Sequence, residues 1–189
     1  AGLFQGRQLL CPEDLQEGNP GSVYGSENEY WEHTGDLAMK QFQGKQVLAL
    51  WILENQENTD YHMPARIMVQ EALQYARQLK DIQRENRRAY QSSRKRKPGH
   101  DSGGPYYKDT GEFLYHFRKQ DRLFPVITLA AYWGDVEWNG PLTLHDMLDL
   151  SGNDELKKAF LQLIPEYPLH LINLSKLEDY GLFRTELRT

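Results

Sequence analysis

Two stretches of the chain carry apolar side chains almost without interruption: "VLALWIL", residues 47–53, and "LFPVITLAAYW", residues 123–133. Apolar runs without alternation predict strands covered on both faces, the first spanning 47–55 and the second 123–134. Between them the period changes. Ala65, Val69, Ala72, Ala76 and Leu79 recur at spacings of four and three, with Met68 and Leu73 widening the stripe. Arg66, Gln70, Gln74, Arg77, Asp81, Arg84 and Arg88 occupy the opposite side. This is the pattern of an amphipathic helix over 62 to about 88, capped by Thr59 or Asp60 and carrying Pro64 in its first turn.

Weaker patterns fill in the rest. Residues 3–10 and 34–42 read as strands, with a turn at "QGKQ", 43–46. Residues 12–28 hold Pro12, Gly18, Pro20, Gly21 and Gly25, and 91–112 contain "SSRKRKPGHDSGGP"; both read as loop. A short helix capped by Thr143, a second over 153–164, a strand over 167–174 and a closing helix broken near Gly181 complete the chain. Strands separated by helices predict an α/β layered domain, and the early succession of strands predicts a mixed sheet.

At 189 residues the chain is long enough for one domain with a core of its own. No apolar stretch approaches the ~20 residues of a membrane span. Cys11 is the single cysteine, which excludes an internal disulfide and a Cys-rich zinc site and fits a reducing, cytoplasmic setting. Net charge is −5, but its distribution is uneven. Residues 77–97 carry nine basic side chains against Asp81 and Glu85, a strip of +7 on a body of −12. Arg84, Arg87, Arg88, Arg94, Lys95, Arg96 and Lys97 are its core, placed to meet a polyanion such as DNA. A solvated helix end running into a loop accounts for the same run.

Common catalytic signatures are absent: no phosphate-binding loop, no G-x-G-x-x-G, no H-E-x-x-H, no G-x-S-x-G. The six histidines show no ligand-like pairing. Carboxylate chemistry remains. Glu54 ends the most apolar strand, where a carboxylate is costly unless paired or metal-bound. Asp36 precedes it by eighteen residues, and a turn at Gly44 would bring the two together at one end of a sheet. A divalent cation would then offset their repulsion; Mg²⁺ favours one or two carboxylates with water and phosphate. Gln56 shares the Glu54 face by alternation and could contact water, a carboxylate or a phosphate oxygen. A carboxylate at a strand end also marks plain emergence into solvent, and spacing alone leaves both readings open.

The text "ALWILENQENTDYHMPARIMVQEALQYARQL", with "DRLFPVITLAAYWGDVEWNGPLTLHDML" after it, resembles the recombination-promoting nuclease/transposase family of the PD-(D/E)XK nuclease superfamily. The resemblance covers about residues 3–150. It implies a restriction-endonuclease-like mixed β-sheet core flanked by helices, one such domain over 1–189. It implies Mg²⁺ or Mn²⁺ held by Asp36, Glu54 and the Asn55 carbonyl, with catalysis by Asp36, Glu54 and Gln56, the last standing where the superfamily has Lys. Tyr75 and Gln78 fall on the helix that bears a Tyr/Gln surface in the family. The implied partner is DNA, cut at its phosphodiester bonds. Two departures accompany it: the acid-bearing first helix has no counterpart before Leu3, and Gly35 precedes Asp36 where relatives resemble Arg-Asp, leaving Glu29 and Glu32 as fallback acids. A catalytically degenerate nuclease fold binding DNA or protein is the alternative. A module self-associating as a homodimer through Tyr106, Tyr107, Phe113 and Tyr115 is a third reading.

Overall fold

The computed structural model describes residues 12–18, 21–26, 29–94, 106–151 and 154–176, with the backbone alone for 21–26 and 29–34. The expected strand at 3–10, the closing helix and Lys95, Arg96 and Lys97 lie outside the described residues. The fold is mixed α/β. Strands β1 (Leu15–Glu17), β4 (Leu37–Gln43), β5 (Gln46–Gln56), β6 (Val126–Tyr132) and β7 (His170–Asn173) form one sheet in the order β1-β4-β5-β6-β7. β1 and β4 pair antiparallel, as do β4 and β5; β5, β6 and β7 run parallel. β2 (Gly21–Ser26) and β3 (Glu29–Thr34) form a separate antiparallel hairpin. Glu29 and Glu32 are on that hairpin, outside the main sheet. The segment 12–28, read as loop from its Gly and Pro, therefore contains β1 and β2. Strands this short are too brief to show a period against so many turn residues.

Helix α1 (Met63–Arg94) makes the crossover from β5 to β6. It runs six residues further than its apolar stripe predicts. Two shorter helices follow, α2 (Thr110–Tyr115) and α3 (Asp154–Leu163). The helix expected after Thr143 is a single tight turn, His145–Met147; Asp146 N–H donates to Thr143 Oγ1 over 3.3 Å. None of the described helices is long and apolar enough to cross a membrane.

The β4–β5 hairpin turns through Gly44, whose φ of 60° suits a residue without Cβ. Beyond the turn, Leu50, Ile52 and Glu54 alternate onto one buried face, while Trp51 and Leu53 remain half-buried. β5 is thus fully covered on one side only. Ala38, Leu50, Ile52 and Val126 form one core cluster, and Met63, Ile67, Ala130 and Leu169 a second. Fully burying a side chain such as Ile52 or Ile67 contributes about 1.5–3 kcal/mol.

The inner face of α1 departs from the predicted stripe. Val69, Ala72 and Leu79 are exposed, whereas Gln70, Glu71, Gln74, Gln78 and Asn86 are buried. Gln70 turns to Glu54, and Asn86 to the His116 carbonyl and Asp121; for Glu71 and Gln78 the reason is the shape of the sheet. β7 pairs with β6 only from Leu129 onward, so among the described residues Val126–Thr128 have no strand neighbour on that edge. Side chains of α1 fill that place. Phe124 N–H donates to Gln78 Oε1 (3.0 Å), and Gln78 Nε2 donates back to the Phe124 carbonyl (3.2 Å). Val126 N–H donates to the Tyr75 hydroxyl (3.0 Å) and Thr128 N–H to Glu71 Oε1 (2.8 Å). Seven residues of helix rise about 10 Å and four of strand about 13 Å, so the two rows keep step. A buried backbone N–H left unbonded is costly, which is why polar side chains face inward here.

Candidate metal and nucleic-acid site

The site forms where β4 begins and β5 ends. Leu37 pairs with Leu53, which sets the preceding bend residue, Asp36, beside the end of β5. Asp36 is exposed, and its Oδ2 accepts the Asn55 backbone N–H over 2.6 Å. Glu54 is fully buried. Its Oε1 accepts from Gln70 Nε2 (2.8 Å) and its Oε2 from Arg66 Nη2 (2.6 Å). Gly35 accounts for the close approach. A Cβ there would come within 2.7 Å of Gln70 Nε2 and Ile52 Cγ2 and 3.0 Å of Glu54 Oε1. The family-like Arg at this position has no room in this packing.

Arg66 has a second anchor. Its Nη1 lies 3.3 Å from Asp60 Oδ2, and Asp60 also accepts the His62 backbone N–H (2.9 Å) and contacts the His62 ring. The guanidinium thus spans a short inner contact to a fully buried acid and a longer outer one to Asp60. It remains 29% exposed, so it has a way out to solvent. Gln70 keeps its amide oxygen buried and without a hydrogen-bond partner, as does the Thr128 hydroxyl.

Asp36 thus sits against the backbone of Asn55, the residue after Glu54, and Gln56, half-buried, ends the same strand. The basic residues are elsewhere. Arg84, Arg87 and Arg88 are exposed on the far half of α1, about 20 Å or more along its axis from Gln70, and Arg94 ends the helix. Arg84 is paired with Asp81 (2.6 Å), and Arg94 lies over the Tyr90 ring at 6.0 Å. Tyr75 and Gln78 serve the edge of β6 as described above. Tyr106 and Tyr107 pack with Tyr90 and Phe113 on this distal half of α1, leaving Phe113 and Tyr115 exposed.

Arg66, Gln70 and Glu71 do not stand out in the sequence. Arg66 and Gln70 belong to the side of α1 that its pattern assigns to solvent. One signal was present: a carboxylate ending a buried strand needs a donor, and the helix entered next is the nearest source. Glu71 accepts from the Tyr167 hydroxyl as well as from Thr128. Burial pushes the Tyr167 hydroxyl above its ordinary range, and the adjacent Glu71 carboxylate adds to the shift.

Asp36, Glu54 and the Asn55 carbonyl are oxygen ligands of the kind Mg²⁺ or Mn²⁺ takes, and Gln70 adds an unpartnered buried oxygen next to Glu54. In kind, these residues fit a hard divalent cation. Among the described residues, no group of three or more His, Cys, Asp or Glu gathers as a metal cage. The chain matches no protein-family model, no curated protein and no solved structure.

Proposed function

We propose that this chain is a metal-dependent DNA endonuclease with a restriction-endonuclease-like core, related to the recombination-promoting nucleases it resembles. The observation that carries this reading is the Asn55 N–H bonded to Asp36 at 2.6 Å, which sets Asp36, the bend residue before β4, beside the residue that follows Glu54 on the neighbouring antiparallel strand. Asp36, Glu54 and the Asn55 carbonyl would hold Mg²⁺ or Mn²⁺. The ion, when bound, supplies Lewis acidity toward a phosphoryl oxygen and lowers the pKa of water. Gln56 has neither charge nor basicity, so its part is to orient water by hydrogen bonding. Arg84, Arg87, Arg88 and Arg94 would contact phosphates along the helix, which positions a duplex without reading its bases.

Plasmid nicking in Mg²⁺ tests the chemistry. Glu54→Gln and Asp36→Asn are expected to lose it, and equal nicking by wild type and Glu54→Gln removes Glu54 from the site. Salt titration tests the strip. Each phosphate-contacting Arg replaced by Ala should lower the slope of log affinity against log salt by about 0.9. An unchanged slope in the four-Arg variant takes the strip out of DNA binding.

A second reading, a degenerate nuclease fold that binds DNA without cutting it, is favoured by one contact: Arg66 already neutralises Glu54. Absence of Mn²⁺ binding by calorimetry, with DNA binding intact, would select it.

A further inference from the structure

We propose that Arg66 is a displaceable cation built into the site, holding Glu54 until a divalent ion takes its place. The inference rests on the metal-site reading above. A fully buried carboxylate is costly in lost hydration unless a positive charge stands against it. Arg66 supplies that charge at 2.6 Å on Oε2, while Gln70 donates to Oε1. A divalent ion on Glu54 would meet the guanidinium at close range, and like charges at such a separation repel strongly. The two cations therefore compete for one carboxylate.

The geometry of Arg66 suits such an exchange better than a fixed structural pair. Its inner contact is short and to a group with no exposure; its outer contact, to Asp60, is 3.3 Å and lies nearer solvent. On leaving Glu54 the guanidinium keeps Asp60 as a partner and moves toward solvent. An Arg fork pairs well with phosphate oxygens. Arg66 is a positioning residue in this scheme: it holds Glu54 in place, and it sets how tightly the site takes metal.

Calorimetric titration with Mn²⁺ is the test, since its readout does not depend on turnover. Competition between two cations is a coupling between sites, commonly 5- to 150-fold. Arg66→Gln is therefore expected to bind Mn²⁺ about tenfold or more tightly than wild type, and Arg66→Lys, which restores a cation, to return toward the wild-type value. Equal or weaker binding by Arg66→Gln overturns the displacement while the metal-site reading stands. No Mn²⁺ binding by either protein overturns both. Should Arg66→Gln not fold, the ¹⁵N side-chain resonances of Arg66 in the wild-type protein decide the matter. They are expected to shift and saturate with Mg²⁺, and unchanged resonances at saturating Mg²⁺ refute the exchange.

Discussion

Glu71→Ala is the most direct probe of how α1 is fastened to the sheet. The carboxylate takes two hydrogen bonds, from the Thr128 backbone N–H at 2.8 Å and from the Tyr167 hydroxyl. Thr128 is wholly buried, so its N–H gains no water when Glu71 is truncated. A hydrogen bond to a charged group contributes about 1.5–3 kcal/mol, and a stranded buried donor costs about 1–3 kcal/mol. Two such bonds give about 3–6 kcal/mol. Removing the carboxylate also removes the cost of burying it, which brings the expected loss to about 3–4 kcal/mol. Tyr167→Phe removes one bond only and should cost about 1–3 kcal/mol. The double variant should be little worse than Glu71→Ala alone, because the hydroxyl has already lost its acceptor. Urea unfolding measures all three as shifts in midpoint at constant m. A loss below about 1 kcal/mol for Glu71→Ala would refute the claim that this side chain stands in for a missing strand.

Two further outcomes follow from local geometry. Gly35→Ala drives a methyl to 2.7 Å from Gln70 Nε2 and Ile52 Cγ2, so it should cost about 1–3 kcal/mol in urea unfolding; wild-type stability would show that the bend gives freely. Burial raises the Asp121 carboxyl, but hydrogen bonds from the Arg118 backbone and guanidinium and from Asn86 outweigh it, and the folded pKa is lowered. Its contribution is therefore present above the unfolded value of about 3.9 and is lost as pH falls through the folded value. Asp121→Asn should flatten the fall of stability below about pH 4, and identical acid limbs would contradict this.

The elements that were legible in the sequence are those whose pattern is local. β5 and β6 announce themselves as apolar runs, and α1 by its 3.6-residue period. The hairpin that joins Asp36 to Glu54 could be read from spacing and Gly44. The inward face of α1 could not, because it answers to something distant: β7 is too short to cover β6, and the uncovered N–H groups draw Glu71, Tyr75 and Gln78 inward. A hydrophobic stripe carries no record of a strand that stops early. Arg66 was hidden for the same reason, since its partner, Glu54, is a buried acid on another element.

The row of side chains along the first half of β6 also decides what the protein can join to. Strands from other molecules add where backbone groups stand unclaimed, and here they are claimed by a helix of the same chain. That flank is closed to a foreign strand for as long as α1 stays seated. Loosening the helix by mutation would uncover an adhesive border, so solubility and stability should decline together.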